Sequence, residues 1–269
     1  MGAPWHRTPM PRISCEPMAE HLVDLTDVAD GVARLTLCRP QALNALNRDL
    51  TGALEDAVAK VGARADLRVL VLFGQGRAFC AGNDITEMST LVPDEAEALA
   101  LRQAKLMDAF SRLPQVTLAA VDGHALGGGF MLAIAQDLRI ASDRARFALP
   151  EVTLGFNPAY GIARALDVLG GGAARDLLLT GRTVRATDAL RMGLVTRVVA
   201  PPTLEASALT WAEEIAKSPR AGLAATKAIV ADIRAGLKGR EPEAYGAALR
   251  TSPEARARID AFITRKRGG

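Results

Sequence analysis

The chain of 269 residues contains only three cysteines and three histidines. Cys15, Cys38 and Cys80 are too widely spaced for the ligand pairs of a zinc site, and they do not form the dense framework of a disulfide-stabilised fold. We therefore expect no bound metal. Cysteine usage of this kind is typical of a reducing compartment, which favours a cytoplasmic location.

Long apolar runs and a strong excess of one charge are also missing. No run approaches the roughly 20 apolar residues that a membrane-spanning helix needs. The net charge is +3, and no basic stripe of the kind found in nucleic-acid-binding proteins is present. Neither a membrane nor a nucleic acid is an expected partner. Basic residues do concentrate at 256–267, where a solvated helix face and a ligand contact both remain open.

The composition and the positions of the prolines suggest how the chain is divided into parts. Hydrophobic residues make up 49% of the chain, so a sizeable core can form. Residues 1–19 carry four prolines and no long apolar segment, which predicts a flexible N-terminal extension and not a secretory signal. After Pro158 the pattern becomes mainly helical. We expect a core over 20–200 and a helical C-terminal part over 201–269.

Strand and helix patterns alternate along the first half, which predicts an α/β fold with a largely parallel sheet. Alternating apolar and polar residues predict a hairpin from 21–26 and 32–37, and apolar residues at helical spacing predict a helix over 44–61. Further strands are predicted at 69–73, 116–121, 138–141 and 194–199, and further helices at 94–113 and 128–136.

Two glycine-marked turns, at 76–85 and 123–131, each precede a predicted helix. Two such turns can direct two backbone N–H groups at one carbonyl oxygen, which would form an oxyanion hole. Tight packing of helix against sheet is the alternative explanation for Gly127, Gly128 and Gly129. Asp84 has the spacing of a helix N-cap, with Glu87 three residues later. Cys80 is interpreted as a small core residue and not as a nucleophile.

The ordered motifs resemble the crotonase superfamily of enoyl-CoA hydratases and isomerases, over about 22–267. They are Arg-Pro at 39–40, Asn-Ala-Leu at 44–46, Ala-Phe-Cys-Ala-Gly-Asn-Asp at 78–84, Gly123 with Ala-Leu-Gly-Gly-Gly at 125–129, Pro-Glu at 150–151 and Leu-Gly at 154–155. A lone run of glycines would be weak evidence, whereas this series in this order is specific.

The resemblance implies a spiral of repeated strand-strand-helix units, followed by helices used in trimerisation. It implies a homotrimer or a dimer of trimers that acts on an acyl-CoA thioester, as in fatty acid metabolism. Coenzyme A would enter as part of the substrate, with no permanently bound cofactor. The C-terminal part fits this picture because its apolar residues, Leu204 and Trp211 among them, exceed what we expect a small core to cover.

The resemblance also assigns the site. The N–H groups of Asn83 and Gly128 would form the oxyanion hole, and Glu151 would be the catalytic acid/base. Asn157 and Tyr160 either line the acyl pocket or only shape the turn around Pro158. The remaining acyl-pocket residues would be Phe130 and Met131. Contacts to coenzyme A would come from Ala45, Leu46, Ala81, Gly82, Asp84, Ile85, Phe262, Arg265 and Lys266.

One departure from the family pattern bears on the reaction. Hydratases of this family use two glutamates, and the position of the water-activating one is Met131 in this chain. A thioether cannot take a proton from water. Retention of Glu151 alone resembles the isomerase branch, in which one base moves a proton between C2 and C4. A hydratase, another lyase or hydrolase of the family, and a non-catalytic acyl-CoA-binding protein remain the alternatives.

Overall fold

The structure, a computed structural model, describes residues 21–236 and 242–267. Within these residues the strands are β1 (Val23–Ala29), β2 (Val32–Leu37), β3 (Val69–Gly74), β4 (Ala78–Cys80), β5 (Val116–Val121), β6 (His124–Leu126), β7 (Leu138–Ser142), β8 (Arg146–Ala148), β9 (Val184–Arg185) and β10 (Arg197–Val199). The predicted extension at 1–19 lies outside the described residues.

The helices follow the same numbering. They are α1 (Arg48–Gly62), α2 (Ile85–Met88), α3 (Pro93–Arg112), α4 (Gly128–Ala135), α5 (Ile162–Thr180), α6 (Ala186–Arg191), α7 (Leu204–Ala216), α8 (Arg220–Arg234), α9 (Pro242–Arg250) and α10 (Pro253–Arg267). Short 3₁₀ turns lie at Pro40–Ala42, Pro150–Leu154 and Pro201–Thr203.

Two sheets carry the fold. The main sheet has the order β1-β2-β3-β5-β7-β10, and all of its pairs are parallel except the β1–β2 hairpin. The smaller sheet has the order β4-β6-β8-β9. Successive strand pairs, β3 with β4, β5 with β6 and β7 with β8, each place one strand in each sheet and are each followed by helix. This repetition is the predicted spiral of strand-strand-helix units.

The first predicted helix begins later than its apolar spacing suggests. Leu43 and Asn44 form a turn with φ angles of 52° and 56°, and Leu46 then forms a β-bridge with Asn83. The buried side chain of Asn44 donates to the carbonyls of Gln75 and Ala78, so it joins this turn to the β3–β4 connection. Asn47 then caps α1 by accepting a hydrogen bond from the N–H of Leu50 at 2.9 Å.

Of the helical C-terminal part, α7 belongs to the core. Leu204, Ala208, Ala212 and Ala216 of α7 pack on the outer face of the main sheet, against valines of β2, β3 and β5. Leu204 is 5% exposed, and Trp211 is partly buried against the same cluster. The expectation that these residues lack cover within one chain is therefore wrong, because the main sheet has a second apolar face that α7 covers.

Candidate active site

The two glycine-marked turns meet at one cavity of about 190 Å³. Leu46 fixes the first turn through its backbone, since its N–H donates to the carbonyl of Gly82 at 2.7 Å and its carbonyl accepts from the N–H of Asp84 at 3.0 Å. This bridge does not use the N–H of Asn83. Gly128 is the first residue of α4, where a backbone N–H has no partner within the helix. Asn83 and Gly128 both line the cavity.

Gly128 and Gly129 are needed for different reasons. A methyl group on Gly128 would come within 2.4 Å of Asn83 Oδ1 and 2.7 Å of Tyr160 Oη, so a larger residue would crowd the cavity. A methyl group on Gly129 would come within 2.0 Å of the carbonyl oxygen of Cys80, so this glycine lets α4 approach β4. Packing of helix against sheet, one of the two explanations of the glycine run, therefore applies at Gly129, while Gly128 leaves space in the cavity.

Glu151 is the only carboxylate that lines the cavity in the part of the chain that the structure describes. It lies in the 3₁₀ turn after β8 and is 9% exposed. A methyl group on Gly127 would lie 2.9 Å from its Oε1, which places the carboxylate beside the start of α4. Its Oε2 is buried without a hydrogen-bond partner among the described residues. Burial raises the pKa of Glu151, because its charged form is poorly solvated in this cavity.

Met131 lines the cavity and is 2% exposed. Its sulfur lies 2.5 Å from where a methyl group on Gly161 would be, so the thioether fills the space beside the loop that follows Pro158. The expectation that Phe130 lines the acyl pocket is not met. Phe130 is fully buried and packs edge-on against Phe147, with ring centroids 6.4 Å apart. Adjacent helical residues point in different directions, so Met131 faces the cavity and Phe130 faces the core.

Asn157 and Tyr160 both line the cavity. Asn157 also shapes the turn, because its side-chain amide donates to the carbonyl of Pro158 at 2.9 Å. The Tyr160 hydroxyl donates a hydrogen bond to Asn83 Oδ1 at 3.0 Å, which links two residues that both line the cavity. The loop after Pro158 thus contributes polar groups to the same cavity as Glu151 and Asn83.

One wall of the cavity, formed by α2, α3 and the connection between them, was not predicted from the sequence. These cavity-lining residues are Met88, Leu91, Ala96, Leu99, Ala100 and Gln103. Those on α3 recur at helical spacing, which is a detectable signal. The same spacing is typical of any core-facing helix, so it could not separate a pocket wall from ordinary packing.

A wider cleft of about 820 Å³ adjoins the cavity and shares Ala81, Asn83 and Ile85 with it. Ala45 and Asp84, two of the expected coenzyme A contacts, also line this cleft, while Gly82 lines the inner cavity. Leu46 is different, because its side chain is buried in the core and only its backbone supports the site. Arg39 and Arg77 line the cleft and were not predicted as site residues.

Asp84 has a structural role, as its spacing suggested. It accepts hydrogen bonds from the N–H groups of Thr86 and Glu87 at the start of α2, and its Oδ2 lies 2.6 Å from Arg39 Nη1. Glu87 does not complete a capping box, because its carboxylate accepts from the N–H of Arg48 at the start of α1. Cys80 is fully buried, and burial raises the pKa of its thiol to about 12, so it is no nucleophile.

The predicted contacts on α10 are not brought to the cleft within one chain. Phe262 is 63% exposed, and Arg265 is also exposed, with its Nε donating back to the carbonyl of Ala261. Neither residue is among those that line the cavity or the cleft. The side chain of Lys266 lies outside the described residues.

Over 21–236 and 242–267, no group of three or more histidine, cysteine, aspartate or glutamate side chains is arranged to hold a metal ion. Among the helices of the same residues, none is both long and apolar enough to cross a membrane.

Comparison with known proteins relates this site to a family. Residues 27–252 match the enoyl-CoA hydratase/isomerase family. The chain is 34% identical over 243 residues to the short-chain-enoyl-CoA hydratase of Clostridium acetobutylicum, covering 88% of this chain and 92% of that protein. Crystal structures of enoyl-CoA hydratases from Mycobacterium smegmatis and Bacillus anthracis match with TM-scores of 0.83 and identities of 33% and 30%. Both matches cover 91% of this chain, with 97% and 96% of the respective structures.

Proposed function

Because this chain belongs to the enoyl-CoA hydratase/isomerase family, we propose that it transfers a proton within an enoyl-CoA thioester, with Glu151 as the single acid/base. One observation carries the proposal. Among the described residues, Glu151 is the only carboxylate in a cavity whose other expected catalytic position is the thioether of Met131. A site with one carboxylate can move a proton, whereas it has no second carboxylate to activate water.

The geometry supports a stepwise shift of the double bond. The thioester oxygen accepts hydrogen bonds from the N–H groups of Asn83 and Gly128, which stabilise negative charge on that oxygen. Glu151 removes a proton from C2 of a 3-enoyl-CoA, and the electron pair is delocalised into the thioester as a dienolate. Glu151 then returns the proton to C4, so that the double bond lies between C2 and C3. No atom is gained or lost.

The environment of Glu151 suits both the removal of the proton from C2 and its return to C4. Burial raises the pKa of its carboxyl group because the charged form is poorly solvated. The raised pKa makes the carboxylate a stronger base than an exposed glutamate. The protonated form is then also accessible during turnover, which lets the same group act as the acid.

The cleft beside the cavity is the proposed site of the coenzyme A moiety. Ala45, Ala81 and Ile85 line it with small or apolar surface, and Arg77 adds positive charge that can attract phosphates. The charge of Arg39 is instead offset by its ion pair with Asp84. We further propose that Phe262 and Arg265 of a neighbouring subunit reach this cleft. Their exposure on α10 within one chain supports that arrangement.

A homotrimer or a dimer of trimers is part of the same proposal. Val230 and Ile233 of α8 are 58% and 69% exposed, and α10 exposes Ile259, Phe262 and Ile263. Large apolar side chains exposed on neighbouring helices are typical of a surface that a second chain covers. The proposal includes a cytoplasmic location, which the three cysteines without disulfide spacing support.

Hydration of a 2-enoyl-CoA is the second candidate, and the hydratase names of several similar proteins favour it. A screen of purified protein against 2-enoyl-, 3-enoyl- and cyclic acyl-CoAs, read by mass spectrometry and chromatography, separates the candidates. We expect 3-enoyl-CoA to be converted to its 2-enoyl isomer without a mass change. A gain of 18 mass units on 2-enoyl-CoA, with no isomerisation, would instead establish a hydratase. Binding without turnover of any of them would favour a non-catalytic role.

A further inference from the structure

The Tyr160 hydroxyl lies in the cavity between the side chain of Asn83 and the start of α4. Its Oη donates to Asn83 Oδ1 at 3.0 Å and lies 2.7 Å from where a methyl group on Gly128 would be. The hydroxyl therefore lies beside the side chain of Asn83 and the Cα of Gly128, the two residues whose N–H groups are proposed to bind the thioester oxygen. Tyr160 is 9% exposed, so water competes little for this hydroxyl.

The surroundings keep the hydroxyl neutral and therefore able to donate. Burial raises the pKa of Tyr160, and the nearby Glu151 carboxylate raises it further, because a phenolate would be poorly solvated and close to a second negative charge. A neutral phenol in a buried site is a good hydrogen-bond donor to an oxygen that becomes negative during a reaction.

We propose that the Tyr160 hydroxyl is a third donor to the thioester oxygen, in addition to the N–H groups of Asn83 and Gly128, and that the Asn83 carboxamide holds it in place. A half-turn of that carboxamide exchanges its oxygen for its NH₂ group. The NH₂ group then donates to Tyr160 Oη, and the hydroxyl hydrogen is free to point at the thioester oxygen. This assignment rests on the proposed function, because it adds a donor to the same oxyanion hole.

A purely structural role makes a different prediction. If the hydroxyl only braced the turn that carries Asn83, removing either partner of the 3.0 Å hydrogen bond would have the same effect. If the hydroxyl contacts the substrate, its removal costs more than removal of the Asn83 side chain. Without Asn83 Oδ1 the hydroxyl can still donate to the thioester oxygen, and the backbone N–H of residue 83 remains.

The kinetic test compares Tyr160→Phe, Asn83→Ala and the double variant on 3-hexenoyl-CoA. We expect Tyr160→Phe to lower kcat by about 10- to 100-fold with little change in KM, somewhat less than the loss of a main oxyanion donor. Asn83→Ala should cost less than about fivefold. Thr226→Val removes an exposed hydroxyl of α8 and should leave kcat unchanged. Equal losses in Tyr160→Phe and Asn83→Ala, with no further loss in the double variant, would overturn the proposal.

A spectroscopic test does not depend on turnover. In a Glu151→Gln background, bound 2,4-hexadienoyl-CoA should absorb at longer wavelength than the free thioester, because the oxyanion hole polarises its conjugated carbonyl. Adding Tyr160→Phe should shrink this shift, measured at saturating protein. An undiminished shift would contradict the role of the hydroxyl. If the shift responds as expected while wild-type protein fails to isomerise 3-hexenoyl-CoA, the reaction is wrong and the donor assignment stands.

Discussion

Lys227 of α8 and Asp137, which follows α4, form an ion pair in which Nζ lies 2.7 Å from Oδ2. The lysine side chain is 6% exposed and also donates to the carbonyls of Phe110 and Gln115, at 2.9 and 2.8 Å. Asp137 accepts in turn from the N–H and hydroxyl of Thr117. One buried ammonium group therefore joins α8 to the end of α3, to the start of β5 and to the segment after α4.

Lys227→Met should destabilise the protein by about 2–4 kcal/mol. The substitution leaves two carbonyls and one partly buried carboxylate without their cation, and such groups are costly when unpaired. Lys217→Met, at an exposed position after α7, is the matched control and should change stability by less than about 0.5 kcal/mol. Urea unfolding of both variants measures the difference, and equal stabilities would contradict the role given to this pair.

Gly129→Ala should destabilise the fold by about 3 kcal/mol or more, at the upper end of the range for overpacking. The added methyl group would meet a backbone carbonyl at 2.0 Å, and a backbone atom between α4 and β4 cannot move aside cheaply. Gly172→Ala in α5 meets nothing within 4 Å and should stabilise the helix by roughly 0.5–1 kcal/mol. Thermal unfolding of the two variants should therefore shift in opposite directions.

Glu151→Gln should make the protein more stable than wild type at neutral pH. Burial raises the folded-state pKa of Glu151 above its unfolded value, so between these two values the folded state binds more protons. Wild-type stability is therefore lost as the pH rises through that window, and the variant does not share this loss. The advantage should vanish below the unfolded pKa of about 4.3. Denaturant unfolding from pH 4 to 8 tests this, with the exposed Glu97→Gln as the control.

Met131→Glu should raise hydration of 2-enoyl-CoA by at least about tenfold over wild type, the lower part of the range for a positioned general base. The new carboxylate can take a proton from water, although its burial should lower stability. Met131→Gln has similar size and no basic group, so it should not gain hydration. A coupled assay of 3-hydroxyacyl-CoA formation distinguishes the two, and equal hydration by both variants would contradict this role for position 131.

Much of the fold follows from local patterns. The hairpin, β3, β5 and α3 lie within a few residues of their predicted bounds, because apolar periodicity in these segments is regular. The strands of the smaller sheet have only two or three residues each, which is too short for a period to be recognised. The delayed start of α1 depends on the contacts of buried Asn44 with a distant segment, and a single sequence does not reveal such contacts.

The candidate site, like the fold, could be predicted only in part from the sequence. The glycine turns indicated a possible oxyanion hole, and the resemblance to the crotonase superfamily assigned Asn83, Gly128 and Glu151 to the site. The side of α4 on which Phe130 lies could not be predicted, because every residue of this helix is buried and an apolar helix has no polar face that would orient it. The hydrogen bond between Tyr160 and Asn83 joins residues 77 positions apart, so it required the folded chain.

The most direct test of the account is deuterium exchange into a 3-enoyl-CoA in deuterated buffer, measured by mass spectrometry. Wild-type protein should exchange C2 protons and deliver label to C4 of the 2-enoyl product, while hydrating crotonyl-CoA poorly. Glu151→Gln should slow both exchange and isomerisation by roughly 10²–10⁴. Efficient hydration of crotonyl-CoA by wild-type protein, with no exchange into 3-enoyl-CoA, would contradict proton transfer by a single glutamate.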